Sequence, residues 1–93
     1  MIERAGNELR VSGAFTIANA TALCEAGKQA LDADMVVDLA AVTEVDSTAL
    51  SVLFEWRRAA RAKKLQVAFR NLPDSMKSLA ALYGVADLVA PEA

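Results

Sequence analysis

Met35-Val36-Val37-Asp38-Leu39 is nearly continuous in apolar residues, and a few positions later the chain reads Val45-Asp46-Ser47-Thr48-Ala49-Leu50. A short run of the first kind is expected of a strand covered on both faces. An acid followed by two hydroxyls suits a helix start, because the first N–H groups of a helix lack internal partners and a side-chain oxygen just before it supplies one. Asp46 is the expected cap. A strand that feeds a helix across so short a junction confines the chain to layered α/β packing.

The remaining segments extend the alternation. Met1 to Arg4 and Glu8 to Ser12 read as two short strands around Gly6-Asn7, with Leu9 and Val11 inward and Glu8, Arg10 and Ser12 outward. A first helix is expected from about Ala18 to Leu31, with Ile17, Cys24 and Leu31 on one apolar stripe and Ala20 and Gly27 between them. Cys24 on that stripe is a small core hydrophobe. A second helix is expected over Thr48 to Ala62, a strand over Leu65 to Arg70, and a third helix over Asp74 to Tyr83. Pro73 suits the start of that helix and Gly84 its end, with a further helical turn at Val85 to Val89. This order predicts an α/β fold: a small mixed β-sheet with helices packed mainly on one face, in a single domain spanning 1–93.

On the second helix, Ala49, Leu50, Leu53, Phe54 and Ala60 draw a core-facing arc, and Ser51, Glu55 and Arg58 fall opposite. Val52, Trp56 and Ala59 border that arc and widen it beyond one core contact. Two readings of Trp56 stand: burial in the core, or a half-exposed aromatic anchor for a partner. The 55% hydrophobic fraction leaves the same two readings open for the chain as a whole, since many alanines inflate the figure.

Composition excludes several chemistries. There is no histidine and Cys24 is the single cysteine. The common general base, the Ser–His and Cys–His pairings, a disulfide framework and an ordinary zinc site are therefore all missing. Asp46 beside Ser47 is not a catalytic pair, because a hydroxyl needs a base aimed at it. No Gly-rich phosphate loop is present, so neither a cofactor nor an enzymatic activity is expected. A net charge of −2 argues against a nucleic-acid partner. The local cluster Arg57, Arg58, Arg61, Lys63 and Lys64 sits where cations complement a helix C-terminus. The chain lacks an apolar signal core, and its longest apolar run, Leu79 to Ala86, falls short of the roughly 18 residues that span a bilayer. A cytoplasmic location without direct membrane insertion is the expectation.

Val36-Val37-Asp38-Leu39, Val42 and Val45-Asp46-Ser47-Thr48-Ala49-Leu50 together resemble the signature of STAS domains, as in bacterial anti-sigma-factor antagonists. The resemblance extends through Asn71-Leu72-Pro73 to Leu82-Tyr83-Gly84-Val85. Within the family, Leu53-Phe54-Glu55-Trp56-Arg57-Arg58 and the Leu79–Val85 ending are most similar to MlaB-like members, the cytoplasmic STAS subunits of the Mla phospholipid ABC transporter. Ala49 departs from the pattern, since many members carry glycine there.

The resemblance implies a non-catalytic subunit, peripheral to the inner membrane when in complex with a permease. It would bind an MlaF-like ATPase subunit through the surface at Ser47 and serve to maintain outer-membrane lipid asymmetry; with the border of the second helix added, the expected contact is Ser47, Thr48, Ser51, Val52 and Trp56. The alternative it implies is an anti-sigma-factor antagonist that binds an anti-sigma kinase and is phosphorylated at Ser47. A phosphate there would meet the helix dipole favourably yet stand beside the Asp46 charge, so it could switch an interface by repulsion.

Overall fold

A computed structural model describes residues 2–84. Strands β1 (Ile2–Ala5) and β2 (Glu8–Phe15) are followed by helix α1 (Ala20–Ala30) and strand β3 (Met35–Val45). Helix α2 (Ser47–Ala62), strand β4 (Val67–Arg70) and helix α3 (Asp74–Leu82) complete the order. The four strands form one mixed sheet in the order β1-β2-β3-β4, with β1 antiparallel to β2 and the other two pairings parallel. The expected α/β architecture is therefore present, with the helices covering one face. The turn expected at Val85–Val89 lies outside the described residues.

The hairpin closes at Gly6-Asn7, where Gly6 takes φ +62° and supplies the left-handed residue of a two-residue turn. Leu9, Val11 and Phe15 alternate into the core along β2. On β3 the inward set is Met35, Val37 and Leu39, then Val42. The register against β2 shifts twice, between Arg10 and Ser12 and between Gly13 and Ala14. Each extra residue on β3 resets the alternation, so Val42 faces the same side as Leu39 although three positions separate them.

The strand expected at Met35–Leu39 thus runs on to Val45, and it is not covered on both faces. Val36 and Asp38 lie on the open face among charged neighbours. There Arg70 contacts Glu8 at 2.7 Å and Asp38 at 3.4 Å, Arg10 contacts Glu8 at 2.8 Å, and Asn71 Nδ2 donates to Asp38 at 3.1 Å. The Ala40 N–H, followed by Asn71 and Arg70, holds the Asp38 carboxyl below its ordinary range. Arg10 and Arg70 do the same for Glu8. This polar network leaves the outer face solvated and gives the sheet one dry side.

The first helix begins later than its periodicity suggests. Asn19 folds back on the strand end: its Oδ1 accepts the Thr16 N–H at 2.9 Å and its amide donates to the Ala14 carbonyl. That closed loop holds residues 16–19 off the helix, which starts at Ala20. Of the expected stripe, Ala20, Gly27 and Leu31 are buried and Leu23 joins them, but Ile17 is 76% exposed and Cys24 is only partly buried.

Trp56 is completely buried, which corrects the exposed-anchor reading. Its indole N–H donates to the Cys24 carbonyl at 3.0 Å, its ring lies 5.8 Å from that of Phe15, and it covers Gly27. The wide apolar arc of α2 arises because two surfaces meet it. Leu50, Leu53 and Ala60 are among the residues buried in the core, while α1 packs along the Val52–Trp56 border. A side chain of this size buried from water stabilises by about 3 kcal/mol or somewhat more, and its single donor is satisfied. Val52 is buried as well. Neither side chain is therefore available to a partner in this fold.

Candidate functional site

The last residue of β3, Val45, passes directly into Asp46, whose extended backbone (φ −131°, ψ −175°) turns the chain into α2. Asp46 does more than cap. Its Oδ1 accepts the Thr48 N–H at 2.9 Å, and its Oδ2 accepts the Ile17 N–H from the loop before α1, also at 2.9 Å. One carboxylate thereby ties two chain segments together at the C-terminal end of the parallel strands. Its pKa is held below the ordinary aspartate value, first by the Ile17 N–H and then by the helix-start donors around Thr48.

From this anchor the hydroxyls project outward. Ser47 and Ser51 are exposed and Thr48 is half-buried. At 100° per residue the three side chains fall within about one quadrant of α2, where they form a ridge. A depression flanks the ridge on each side. One, of about 330 Å³, is lined by Ser47, Thr48, Leu50, Ser51, Phe54 and Tyr83, and so lies between α2 and the end of α3. The other, of about 240 Å³, is bounded by Ala20, Thr21, Cys24 and Glu25 of α1 together with Thr48, Ser51, Val52 and Glu55 of α2. Ile17 and Leu82 are both exposed, and Tyr83 is 57% exposed. The surface is thus a polar ridge with apolar groups at its margins.

Of the residues expected from the sequence, Asp46, Ser47, Thr48 and Ser51 come together here. Val52 reaches the second depression only as part of its buried floor, and Trp56 lies beneath α1. Ile17 and Tyr83 join the surface without having been expected on it. No periodicity signalled Ile17, which would continue the period-two series Leu9, Val11, Gly13 and Phe15; the loop closed by Asn19 is what takes it off the core face. Phe54, expected in the core arc, is half-buried and lines the α3-side depression.

Among the described residues no cluster of ligating side chains could hold a metal ion, and no helix is long and apolar enough to cross a membrane. No buried side-chain polar atom among them lacks a hydrogen-bond partner.

Comparison with known proteins places these features in a family. The chain is similar in structure to an anti-sigma factor antagonist of Thermotoga maritima, so described provisionally, with TM-score 0.77 and 14% identity over 96% of this chain and 81% of that one. An anti-sigma factor antagonist from Mycobacterium paratuberculosis aligns with TM-score 0.66 and 25% identity, covering 97% of this chain and 80% of the other. The anti-sigma factor antagonist SpoIIAA, in its unphosphorylated form, aligns with TM-score 0.68 and 11% identity over 88% and 81% of the two chains. No curated protein sequence matches. The family model described as "Mlab, STAS domain" matches residues 1–90. With the mixed four-stranded sheet, the acid-capped α2 and the hydroxyl ridge at its start, this match means that the chain belongs to the Mlab family of STAS domains.

Proposed function

We propose that this STAS domain is the non-catalytic subunit of a phospholipid-transport ABC complex, docked on the ATPase subunit through the start of α2. The observation that carries the reading is the Ser47-Thr48-Ser51 ridge, with Ser47 and Ser51 exposed, anchored through the Asp46 hydrogen bonds and flanked by two shallow depressions. Short hydroxyl side chains on a fixed helix lose little conformational entropy when a partner covers them. The half-buried Phe54 and exposed Tyr83 give the α3 side apolar area that such a contact would bury. Family membership supports a transporter partner. In that assembly the domain would sit at the cytoplasmic side of the inner membrane, beside a permease and its ATPase.

The test is co-purification from the native host. Tagged parent protein is expected to bring down an ABC ATPase, and Thr48→Arg is expected to lose it while keeping the parent melting temperature. Recovery of the parent without any ATPase would refute the assignment.

A second reading is favoured by one observation: several of the structural relatives are anti-sigma factor antagonists, and one of them was solved in a form designated unphosphorylated. Ser47 is exposed at the helix start where a phosphate would sit near the N-terminal dipole. On this reading the partner is an anti-sigma kinase and Ser47 is the modified group. Mass spectrometry of the protein from cells grown under several conditions separates the two: a phosphate on Ser47 favours the switch. A consistently unmodified serine together with ATPase recovery favours the transport subunit.

A further inference from the structure

Six of the ten basic residues and none of the twelve acidic ones lie between residues 56 and 73, so this stretch carries a charge of +6 while the rest of the chain carries −8. Several of the six have contacts elsewhere in the fold. Arg58 pairs with Glu55, Arg70 joins Glu8 and Asp38, and Lys63 Nζ donates to the Leu31 and Lys28 carbonyls at 2.8 and 3.3 Å. Lys63 therefore caps α1 rather than its own helix. Arg61 and Lys64 lie at the C-terminal end of α2, and Arg61 together with Arg57 one turn earlier forms one wall of a depression of about 440 Å³. The opposite wall is Leu65, Gln66 and Val67, the entry to β4.

Two further features define what this depression can take. First, β4 pairs with β3 alone and is the last strand of the sheet. The Gln66 carbonyl accepts the Met35 N–H at 3.0 Å, so Gln66 faces β3. In a parallel pair alternate residues face the neighbour, which turns the main-chain groups of Val67 and Phe69 toward the open edge. Second, Lys64 has φ +59°. The position follows the end of α2, with the Leu65 N–H bonded to the Ala60 carbonyl at 2.8 Å, and glycine is the residue such a helix ending prefers. Lys64 takes this left-handed conformation, which costs a lysine more than a glycine, and it is exposed. Strain of this kind points to a use for the side chain.

We propose that this depression receives an extended acidic segment of a partner protein, which adds along the edge of β4 with its carboxylates on Arg61 and Lys64. The hollow shape and the strand edge favour a peptide over an anionic lipid surface, which would need a flat or protruding basic face with apolar groups to insert. Strand addition supplies affinity through main-chain hydrogen bonds, and alternate side chains supply specificity. Ser47 and Arg61 are separated by about 21 Å along α2 at 1.5 Å per residue, so this site is independent of the hydroxyl ridge.

The probe is a blocked peptide alternating Glu and Val, titrated into the full chain at low salt, with amide hydrogen exchange read at Val67 and Phe69. Binding that slows exchange at Val67 and weakens with salt is expected. Arg61→Gln and Lys64→Gly are each expected to lower the affinity about tenfold, the loss of one charge-assisted contact. Lys64→Gly is also expected to raise the melting temperature, because it relieves the strained backbone, so its loss of binding cannot be a folding defect. Three results overturn the proposal: equal binding by a peptide alternating Glu and Gly without protection at Val67; unchanged binding by Lys64→Gly; or no peptide binding while phosphatidylglycerol vesicles bind in an Arg61-dependent way.

Discussion

Replacing Gly27 by alanine tests the central packing contact of the helical layer. In a helix interior the substitution by itself should stabilise by about 1 kcal/mol. Here a Cβ on Gly27 would stand 2.2 Å from Trp56 Cε2, 2.3 Å from Nε1 and 2.6 Å from Cζ2. Ordinary carbon contacts lie at about 3.5–4.0 Å, so the indole would have to move by more than an ångström. It has nowhere to go, since it is fully buried against Phe15 and bonded to the Cys24 carbonyl. Overpacking costs about 1–3 kcal/mol, and stranding the buried indole N–H adds about 1–3 kcal/mol. After subtracting the propensity gain, the net loss is about 3 kcal/mol at the middle of these ranges.

Urea unfolding followed by the fluorescence of the single tryptophan measures this loss directly. A two-residue cycle isolates its cause. Trp56→Phe removes the part of the ring that faces Gly27, so Gly27→Ala/Trp56→Phe, followed by circular dichroism, should be less destabilised than the sum of the single variants by at least about 1 kcal/mol. A Gly27→Ala protein as stable as its parent, or an additive cycle, would refute the close approach of α1 to α2.

Other outcomes follow from the same contacts. The Asp46 carboxyl has its pKa lowered in the folded state, so its contribution to stability is present above the unfolded value of about 4 and fades as pH falls through the folded one. Asp46→Asn should therefore lower the melting temperature at pH 7 and flatten the acid side of the stability profile below about pH 4, as read by thermal melts from pH 2 to 7. The same variant should speed hydrogen exchange at the Ile17 amide, which loses its charged acceptor. Lys63→Met removes the cation at the end of α1 and should cost about 0.5–1 kcal/mol in denaturant unfolding, with the loss shrinking in high salt. Ser47→Asp places a charge on an exposed ridge residue and should leave the unfolding free energy within about 0.5 kcal/mol of the parent while weakening partner recovery.

Much of the layered pattern is readable locally. The period of two along β2 follows from residues pointing to opposite faces of a strand, and Asp46 as a cap follows from the orphan donors of a helix start. Chain order restricts the sheet to few topologies, and the expected architecture lies among them. Element ends were less legible. β2 outlasts Ser12 because Phe15 still has a core position to fill, and α1 starts at Ala20 because the Asn19 side chain closes a loop that no periodicity records. The length of β3 was hidden by its two register shifts, which break the alternation that would reveal a strand.

By itself the sequence determined the fold class, the hydroxyl-bearing helix start and the poverty of catalytic groups, because each depends on residue type and near-neighbour spacing. Only the tertiary structure decided which apolar residues were left over. Trp56 and Ile17 are both large and apolar, the first expected at the border of a stripe and the second on one. The indole is covered because glycine at position 27 lets α1 approach, and Ile17 is exposed because Asp46 holds its amide in a loop outside the helix. Those outcomes depend on how residues some thirty positions apart meet in space, a distance that helical and strand periodicities do not reach.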